Sequence, residues 1–288
     1  MTPHFHIMNG AGNRFGIFDA RGQADFALNP ECVKKMAGPD SRIMGPKGAD
    51  QIIVLRDPGT SGAHAFMEIW NREGFEVEAC GNATRCSAWL YCGETGKTDM
   101  ILETRAGLLK CSRIGKNRIT VDMGSPRLEW DQVPLSEPMH TDYVDLKVGP
   151  IDDPVLSNPG AVGMGNPHCV FFVEDFQKVR PEQFGPMIEC HPLFPEQVNV
   201  GFARIEAPDR IHLRVWERGV GMTLACGTGA CAAVVAAVRQ KRADRKATVV
   251  VDGGLLDMEW RQSDDHVIMT GPVELESPLQ FSGNHQIL

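Results

Sequence analysis

The chain has 288 residues, 42% hydrophobic and 23% charged, with 29 Lys and Arg against 37 Asp and Glu and a formal net charge of −8. That apolar content can fill a core and excludes disorder as the dominant state, and at about 150 residues per domain the length suggests two domains. The acidic balance offers no field for a phosphate backbone, which argues against a nucleic-acid partner.

In chain order, the opening MTPHFHIMNG has neither a basic n-region nor an apolar h-region, so no secretory signal is read there. Short runs rich in branched and aromatic residues predict strands at 51–55, 64–70, 101–104, 119–123, 169–173, 211–216, 248–251, 255–260 and 266–270. Glycine and proline punctuate the gaps between them. Helices are predicted at 82–92, closed by Gly93, and at 229–242, with weaker signals at 30–36 and 181–190. The result is a β-rich α+β protein.

The run Ala-Cys-Ala-Ala-Val-Val-Ala-Ala-Val at 230–238 has no polar face. A helix apolar all round is buried all round, and in a strand-rich chain its natural place is inside a curled sheet. The wider stretch 224–238 is too short to span a membrane, so no membrane partner is expected. Arg239, Lys241, Arg242 and Arg245 follow, suiting the negative end of the helix dipole.

The sequence also repeats. Cys80-Gly81-Asn82-Ala83-Thr84 resembles Cys226-Gly227-Thr228-Gly229-Ala230 at an offset of 146 residues. At that offset Gly107 meets Gly253, Leu109 meets Leu255, Met123 meets Met269 and Pro126 meets Pro272. Gly10-x-Gly12-Asn13 returns as Gly163-x-Gly165-Asn166 at an offset of 153. Matches in the same order predict a duplicated half-chain: residues 1–125, joined by 272–288, and residues 126–271. Equivalent motifs are then expected to meet at a cleft between two similar domains.

Nine cysteines, an odd number, without an export signal predict free thiols in a reducing cytoplasm. Cys80 and Cys226 each open a predicted buried helix, where unpaired N–H groups and the dipole can hold a carboxylate and lower a thiol pKa. Two such thiols on opposite sides of one carbon could invert it, one removing a proton and the other delivering one. Cys32, Cys111, Cys169 and Cys190 read as inert buried thiols, and Cys86, Cys92 and Cys231 as helix packing. The cysteine spacings do not match common zinc sites, so no metal is expected. His4-x-His6 reads as an exposed pair on a strand. The glycine stretches lack the P-loop lysine and the third Rossmann glycine.

Met8-Asn-Gly-Ala-Gly-Asn13, Ala79-Cys-Gly-Asn-Ala-Thr-Arg85-Cys, Gly165-Asn-Pro-His168, Val198-Asn199 and the run Trp216-Glu-Arg-Gly through Cys231 together resemble the diaminopimelate epimerase family. The resemblance spans nearly the whole chain. It implies a cofactor-independent isomerase interconverting LL- and meso-diaminopimelate in lysine and peptidoglycan precursor biosynthesis. The implied fold is two pseudo-symmetric domains, each a curled, mainly antiparallel sheet around a central buried helix.

By resemblance, Cys80 is the base on the LL isomer and Cys226 the base on the meso isomer. The reacting carboxylate is implied against Gly81, Asn82, Gly227 and Thr228. Asn13, Asn71, Asn166, Asn199, Glu217 and Arg218 are implied at the distal end, with Gln51 lining the pocket and His168 supporting the cysteine region. Arg14, Ala83 and Arg72-Glu73 depart from the family's usual residues. A proline or hydroxyproline racemase on the same fold, and a thiol redox or metal-binding protein, stay open as alternatives. A homodimer is left open too.

Overall fold

The computed structural model describes residues 3–150 and 152–279. The chain divides into two compact units, one running to Val121 and resuming at Gly271, the other Asp122–Thr270.

The first unit runs β1 (His4–Gly10), β2 (Asn13–Asp19), α1 (Pro30–Ala37), β3 (Gln51–Arg56), β4 (Ala65–Asn71), β5 (Glu76–Val77), α2 (Gly81–Thr95), β6 (Asp99–Thr104), β7 (Gly107–Gly115) and β8 (Arg118–Asp122). After the small hairpin β9 (Lys147–Val148) and β10 (Leu156–Ser157), the second runs β11 (Gly160–Gly163), β12 (Pro167–Phe172), α3 (Pro181–Glu189), β13 (Asn199–Ala207), β14 (Arg210–Glu217), β15 (Gly221–Thr223), α4 (Gly227–Arg239), β16 (Lys246–Val251), β17 (Gly254–Trp260) and β18 (Val267–Pro272). Pairing repeats as well as order. β1–β2, β3–β4 and β6–β7 are antiparallel while β2–β3 and β4–β6 are parallel. Their counterparts β11–β12, β13–β14 and β16–β17 are antiparallel while β12–β13 and β14–β16 are parallel. This is the expected α+β fold.

Each sheet curls around its long helix. α2 packs against β1, β2, β6 and β7, and α4 against β11–β14, β16 and β17. Every residue of α4 from Gly229 to Ala237 is buried, as its lack of a polar face requires. Val234 and Val235 are fully buried, each contributing about 1.5–2 kcal/mol of transfer free energy. The opposite sheet face is covered too. Phe5, Phe18, Ile52 and Val54 pack with Val33 and Met36 of α1, and Phe171, Val200 and Phe202 pack with Phe184 and Ile188 of α3. Asn29 caps α1 by accepting from the Cys32 N–H at 2.9 Å, with Pro30 at the first helical position.

Three expectations need correction. α2 does not stop at Gly93 but runs to Thr95, and Gly96 ends it at φ 70° with its N–H donating to Cys92 O at 3.1 Å. α4 ends at Arg239, three residues early, because Gln240 leaves the helix and binds Asp142 O and Asn158 O through its amide. Cys190 is exposed rather than buried, just past α3, where Gln197 Nε2 lies 3.7 Å from its sulfur. All nine cysteines are free. Of the segment 272–288, Glu274–Leu279 forms β19 on the edge of β1, and 280–288 lies outside the described residues. No described helix is long and apolar enough to cross a membrane.

Candidate active site

Strand register gathers the polar residues. In the first unit Asn13 begins β2 and Gln51 begins β3, where it pairs with Phe15 on one side and Asn71, the last residue of β4, on the other. In the second, Asn166 precedes β12, His168 pairs with Asn199 at the start of β13, and Glu217 ends β14. Each set therefore lies at one end of its own sheet.

The helices α2 and α4 begin on cysteines. Cys80 (φ −148°, ψ 109°) and Cys226 (φ −126°, ψ 111°) are both extended N-caps with no side-chain cap bond. First-turn N–H groups of this kind can hold an anionic group, and at α4 the one of Gly229 reaches the Cys226 sulfur. Cys80 is partly exposed, and its carbonyl accepts from the Thr84 N–H and hydroxyl at 2.9 and 2.8 Å. Cys226 is 5% exposed.

Around Cys226 the geometry is explicit. Its thiol donates to Glu217 Oε2 at 3.2 Å and lies 3.6 Å from Thr228 Oγ1, while Glu217 Oε1 accepts from Thr223 Oγ1 at 2.5 Å. Burial and then the Glu217 carboxylate push the Cys226 thiol well above its ordinary pKa. The direction of this shift is opposite to the lowering expected from a position at a helix N-terminus alone. Glu217 also sits against the sulfur itself, rather than only at the far end of a ligand.

His168 is buried, with Nε2 2.9 Å from Asn166 Oδ1; burial, then the nearby Arg218 charge, lower its pKa to about 3. A neutral imidazole donating Nε2–H to the amide fits both facts. Asn199 is engaged at both ends, donating to Pro167 O at 2.9 Å and accepting the Arg218 N–H at 3.0 Å. Arg218 reaches Glu196 O through Nη1 at 3.0 Å. A cavity of about 230 Å³ opens here, lined by Arg127, Gly165, Asn166, Pro167 and Glu196 among others.

In the first unit, Asn82 Nδ2 donates to Asn13 Oδ1 at 2.5 Å, and Asn71 Oδ1 accepts from the Glu73 and Phe75 N–H groups, tying its own turn. Two buried acceptors, Gln51 Oε1 and Asn82 Oδ1, find no partner among the described residues. Such atoms favour a ligand that brings N–H donors. Gly81 and Gly227 are both buried in the first turns of their helices.

Two residues have roles that the sequence does not show: Arg14, legible there only as a departure from the family's usual residue, and Glu189. Arg14 donates to Met44 O, Gly48 O and Glu276 Oε2 at 2.7, 2.5 and 2.7 Å, and its N–H binds Asp50 Oδ2 at 2.7 Å. It ties the start of β2, next to Asn13, to the start of β3, next to Gln51. Glu189 is buried beneath Trp216 and Gly219. Asp122, Asp264 and His266 come close enough to share an ion, but the Arg261 guanidinium already pairs with both aspartates.

The model of the family described as diaminopimelate epimerase matches residues 5–129 and 160–276. The chain belongs to the diaminopimelate epimerase family. It is 49% identical over 284 residues to a diaminopimelate epimerase of Caulobacter vibrioides, covering 96% of each chain. It is 48% identical over 286 residues to one of Methylorubrum extorquens, covering 96% of this chain and 94% of that one. The 130–159 gap in the family match contains the β9–β10 hairpin. Among solved structures, a predicted epimerase from Pseudomonas aeruginosa aligns with a TM-score of 0.68 at 16% identity, covering 97% of this chain and all of that one. A hydroxyproline epimerase from Agrobacterium vitis, solved with trans-4-hydroxy-L-proline, aligns at 0.65 and 14% identity, covering 96% and 91%. At those identities the likeness establishes the diaminopimelate epimerase type of fold and nothing finer.

Proposed function

We propose that this isomerase interconverts LL- and meso-diaminopimelate by two-thiol proton transfer, with Cys80 and Cys226 as the acid–base pair. The observation that carries the reading is the equivalent seat of the two sulfurs, each at the N-terminus of a buried helix in a repeated unit.

From the LL isomer, the Cys80 thiolate takes the α-proton, leaving the electron pair on the α-carbon and its carboxylate. The first-turn N–H groups of Gly81, Asn82, Gly227 and Thr228 stabilise that charge, an electrostatic contribution preorganised by folding. Cys226 then gives its S–H proton to the opposite face, and the chain is left with a Cys80 thiol and a Cys226 thiolate. Starting from the meso isomer, the roles reverse. The high pKa of Cys226 in the free protein supports its role as the proton donor toward the LL substrate.

The substrate's second amino-acid group needs donors and acceptors that do not react. Arg218 suits a carboxylate, while the amides of Asn13, Asn71, Asn166 and Asn199 suit both kinds of group. The partnerless acceptors on Gln51 and Asn82 favour an ammonium. His168, neutral and bonded to Asn166, orients that amide. A cytoplasmic setting on the route to lysine and peptidoglycan precursors goes with this reading, and a homodimer is compatible with it.

Incubation with LL-diaminopimelate, meso-diaminopimelate, L-proline and trans-4-hydroxy-L-proline, followed by chiral chromatography, tests the substrate. Only the two diaminopimelates should interconvert. Turnover of proline or hydroxyproline without turnover of diaminopimelate would overturn the reading.

A further inference from the structure

We infer that Glu189 is a positioning residue for the reaction: from the end of α3 it fixes the turn that carries Glu217 and Arg218 by gripping that turn on both flanks. The inference rests on the functional reading above for the importance of Glu217 and Arg218, and on independent geometry for the grip itself.

Glu189 is 8% exposed, in a helix otherwise packed by Phe184 and Ile188. Its two oxygens do separate jobs. Oε2 accepts the Trp216 indole N–H at 2.6 Å, and Oε1 accepts the Gly219 backbone N–H at 2.7 Å. Trp216 and Gly219 are the residues on either side of Glu217-Arg218. A buried carboxylate needs such donors, and here one comes from the end of β14 and the other from the β14–β15 turn, neither from α3 itself.

The rest of the clamp is steric and backbone-borne. Gly185, one helical turn before Glu189, faces the Trp216 ring so closely that a Cβ there would lie 2.4 Å from Cγ. Trp216 is thus held by a ring contact and an N–H bond to the same helix. Gly219 takes φ 71°, which lets its N–H turn inward toward the carboxylate. The Glu189 carbonyl accepts the Val198 N–H at 3.2 Å, and the next residue, Asn199, receives the Arg218 N–H. The turn is therefore bracketed by Glu189 on two sides and by Asn199 between them. Glu217, projecting from that turn, meets the Cys226 sulfur.

A buried ion or a simple packing group does not require this division of oxygens. Glutamine at 189 is nearly isosteric but has a single acceptor oxygen, so one of the two N–H groups would face an NH2 group instead. The turn should then relax and Glu217 should leave the Cys226 sulfur part of the time.

The test uses the full chain with Glu189→Gln, Trp216→Phe and wild type. One arm reads kcat and KM for LL-diaminopimelate separately. The other reads the rate at which iodoacetamide alkylates Cys226 in substrate-free protein, mapped by peptide mass spectrometry with Cys80 as internal reference. Glu189→Gln should lower kcat at least tenfold and speed Cys226 alkylation at least threefold, because a sulfur without the neighbouring carboxylate ionises more readily. Trp216→Phe removes one of the two bonds and should move both readouts the same way by about threefold. Kinetics and alkylation within 1.5-fold of wild type in either folded variant would overturn the inference. If Glu189→Gln fails to fold, Trp216→Phe decides alone. If wild type does not epimerise diaminopimelate, the functional reading falls while the alkylation arm still judges the clamp.

Discussion

The mouths of α2 and α4 share one plan and differ in charge. At the 146-residue offset Asn71 corresponds to Glu217, and at the 153-residue offset Phe15 corresponds to His168. In the first unit an amide ends β4 and spends its oxygen on its own turn; in the second a carboxylate ends β14 and accepts the cysteine's S–H. Phe15 is a fully buried apolar ring, whereas His168 is a buried imidazole kept neutral by its surroundings. Cys80 is partly exposed and Cys226 buried beside an anion. The repeat holds two equivalent seats for a thiol, and burial with the Glu217 carboxylate raises the pKa of the one at Cys226. In the proposed two-thiol reaction this bias favours the protonation state that acts on the LL isomer, while the meso direction starts from the reverse state.

Removing either sulfur should have the largest effect. Cys80→Ala and Cys226→Ala should each lower epimerisation by about 1,000-fold or more, beyond what a single lost hydrogen bond explains. Near-wild-type turnover in one of them would make the two seats unequal in necessity as well as in charge.

The His168 difference predicts a pH dependence that belongs to the second unit. The unfolded chain protonates this residue near pH 6.5, while the folded one resists until about pH 3. Stability from the buried neutral ring is therefore complete above about pH 6.5 and declines as pH falls toward 3, by an amount on the order of several kcal/mol over the whole window. Urea unfolding at pH 7 and pH 5 should show a larger loss in wild type than in His168→Gln. Equal losses would show that the imidazole is not held neutral.

Making the two mouths alike is the sharper probe. Glu217→Gln removes the anion beside Cys226 and should lower kcat for LL-diaminopimelate by roughly 10- to 100-fold, or about 1.4–2.7 kcal/mol. It should also shift the pH profile of kcat to lower pH as Cys226 ionises more easily. An unchanged profile would mean that the carboxylate does not tune the sulfur.

The smallest effect is expected at Arg14 in the first unit. Arg14→Ala loses the bonds to Met44 O, Gly48 O and Glu276 and should cost about 1–2 kcal/mol in urea unfolding, with a modest rise in KM. A rise in KM without loss of stability would recast Arg14 as a ligand contact.

Much of this was legible in sequence because the signals are local. The alternation Ile211-His-Leu-Arg-Val-Trp216 marks β14, and the absence of a polar face marks α4 as a buried helix. The repeated Cys-Gly motifs point to two equivalent helix starts. What stayed hidden depends on contacts far along the chain. β11 is only Gly-Ala-Val-Gly, and its glycines read as turn punctuation until Gly160 is seen pressed against Ala236 of α4, where a Cβ would lie 2.8 Å from the alanine's own. Gly93 reads as a helix stop, yet the left-handed residue that ends α2 is Gly96. Glu189 looks like one more surface charge at a helix end, and only the fold brings Trp216 and Gly219 over it. The position of Cys226 at a helix N-terminus suggests a depressed pKa, and burial with Glu217 reverses that sign.

The central claim is that two different thiols serve the two faces of one carbon, and initial-rate turnover in D2O tests it most directly. Starting from protiated LL-diaminopimelate, the first meso product should carry deuterium at the inverted carbon, supplied by the solvent-exchanged Cys226 thiol, while unreacted LL substrate keeps its protium. The meso-to-LL direction should behave in the same way. Protium retained in the first product, or deuterium entering unreacted substrate as fast as product forms, would contradict the account.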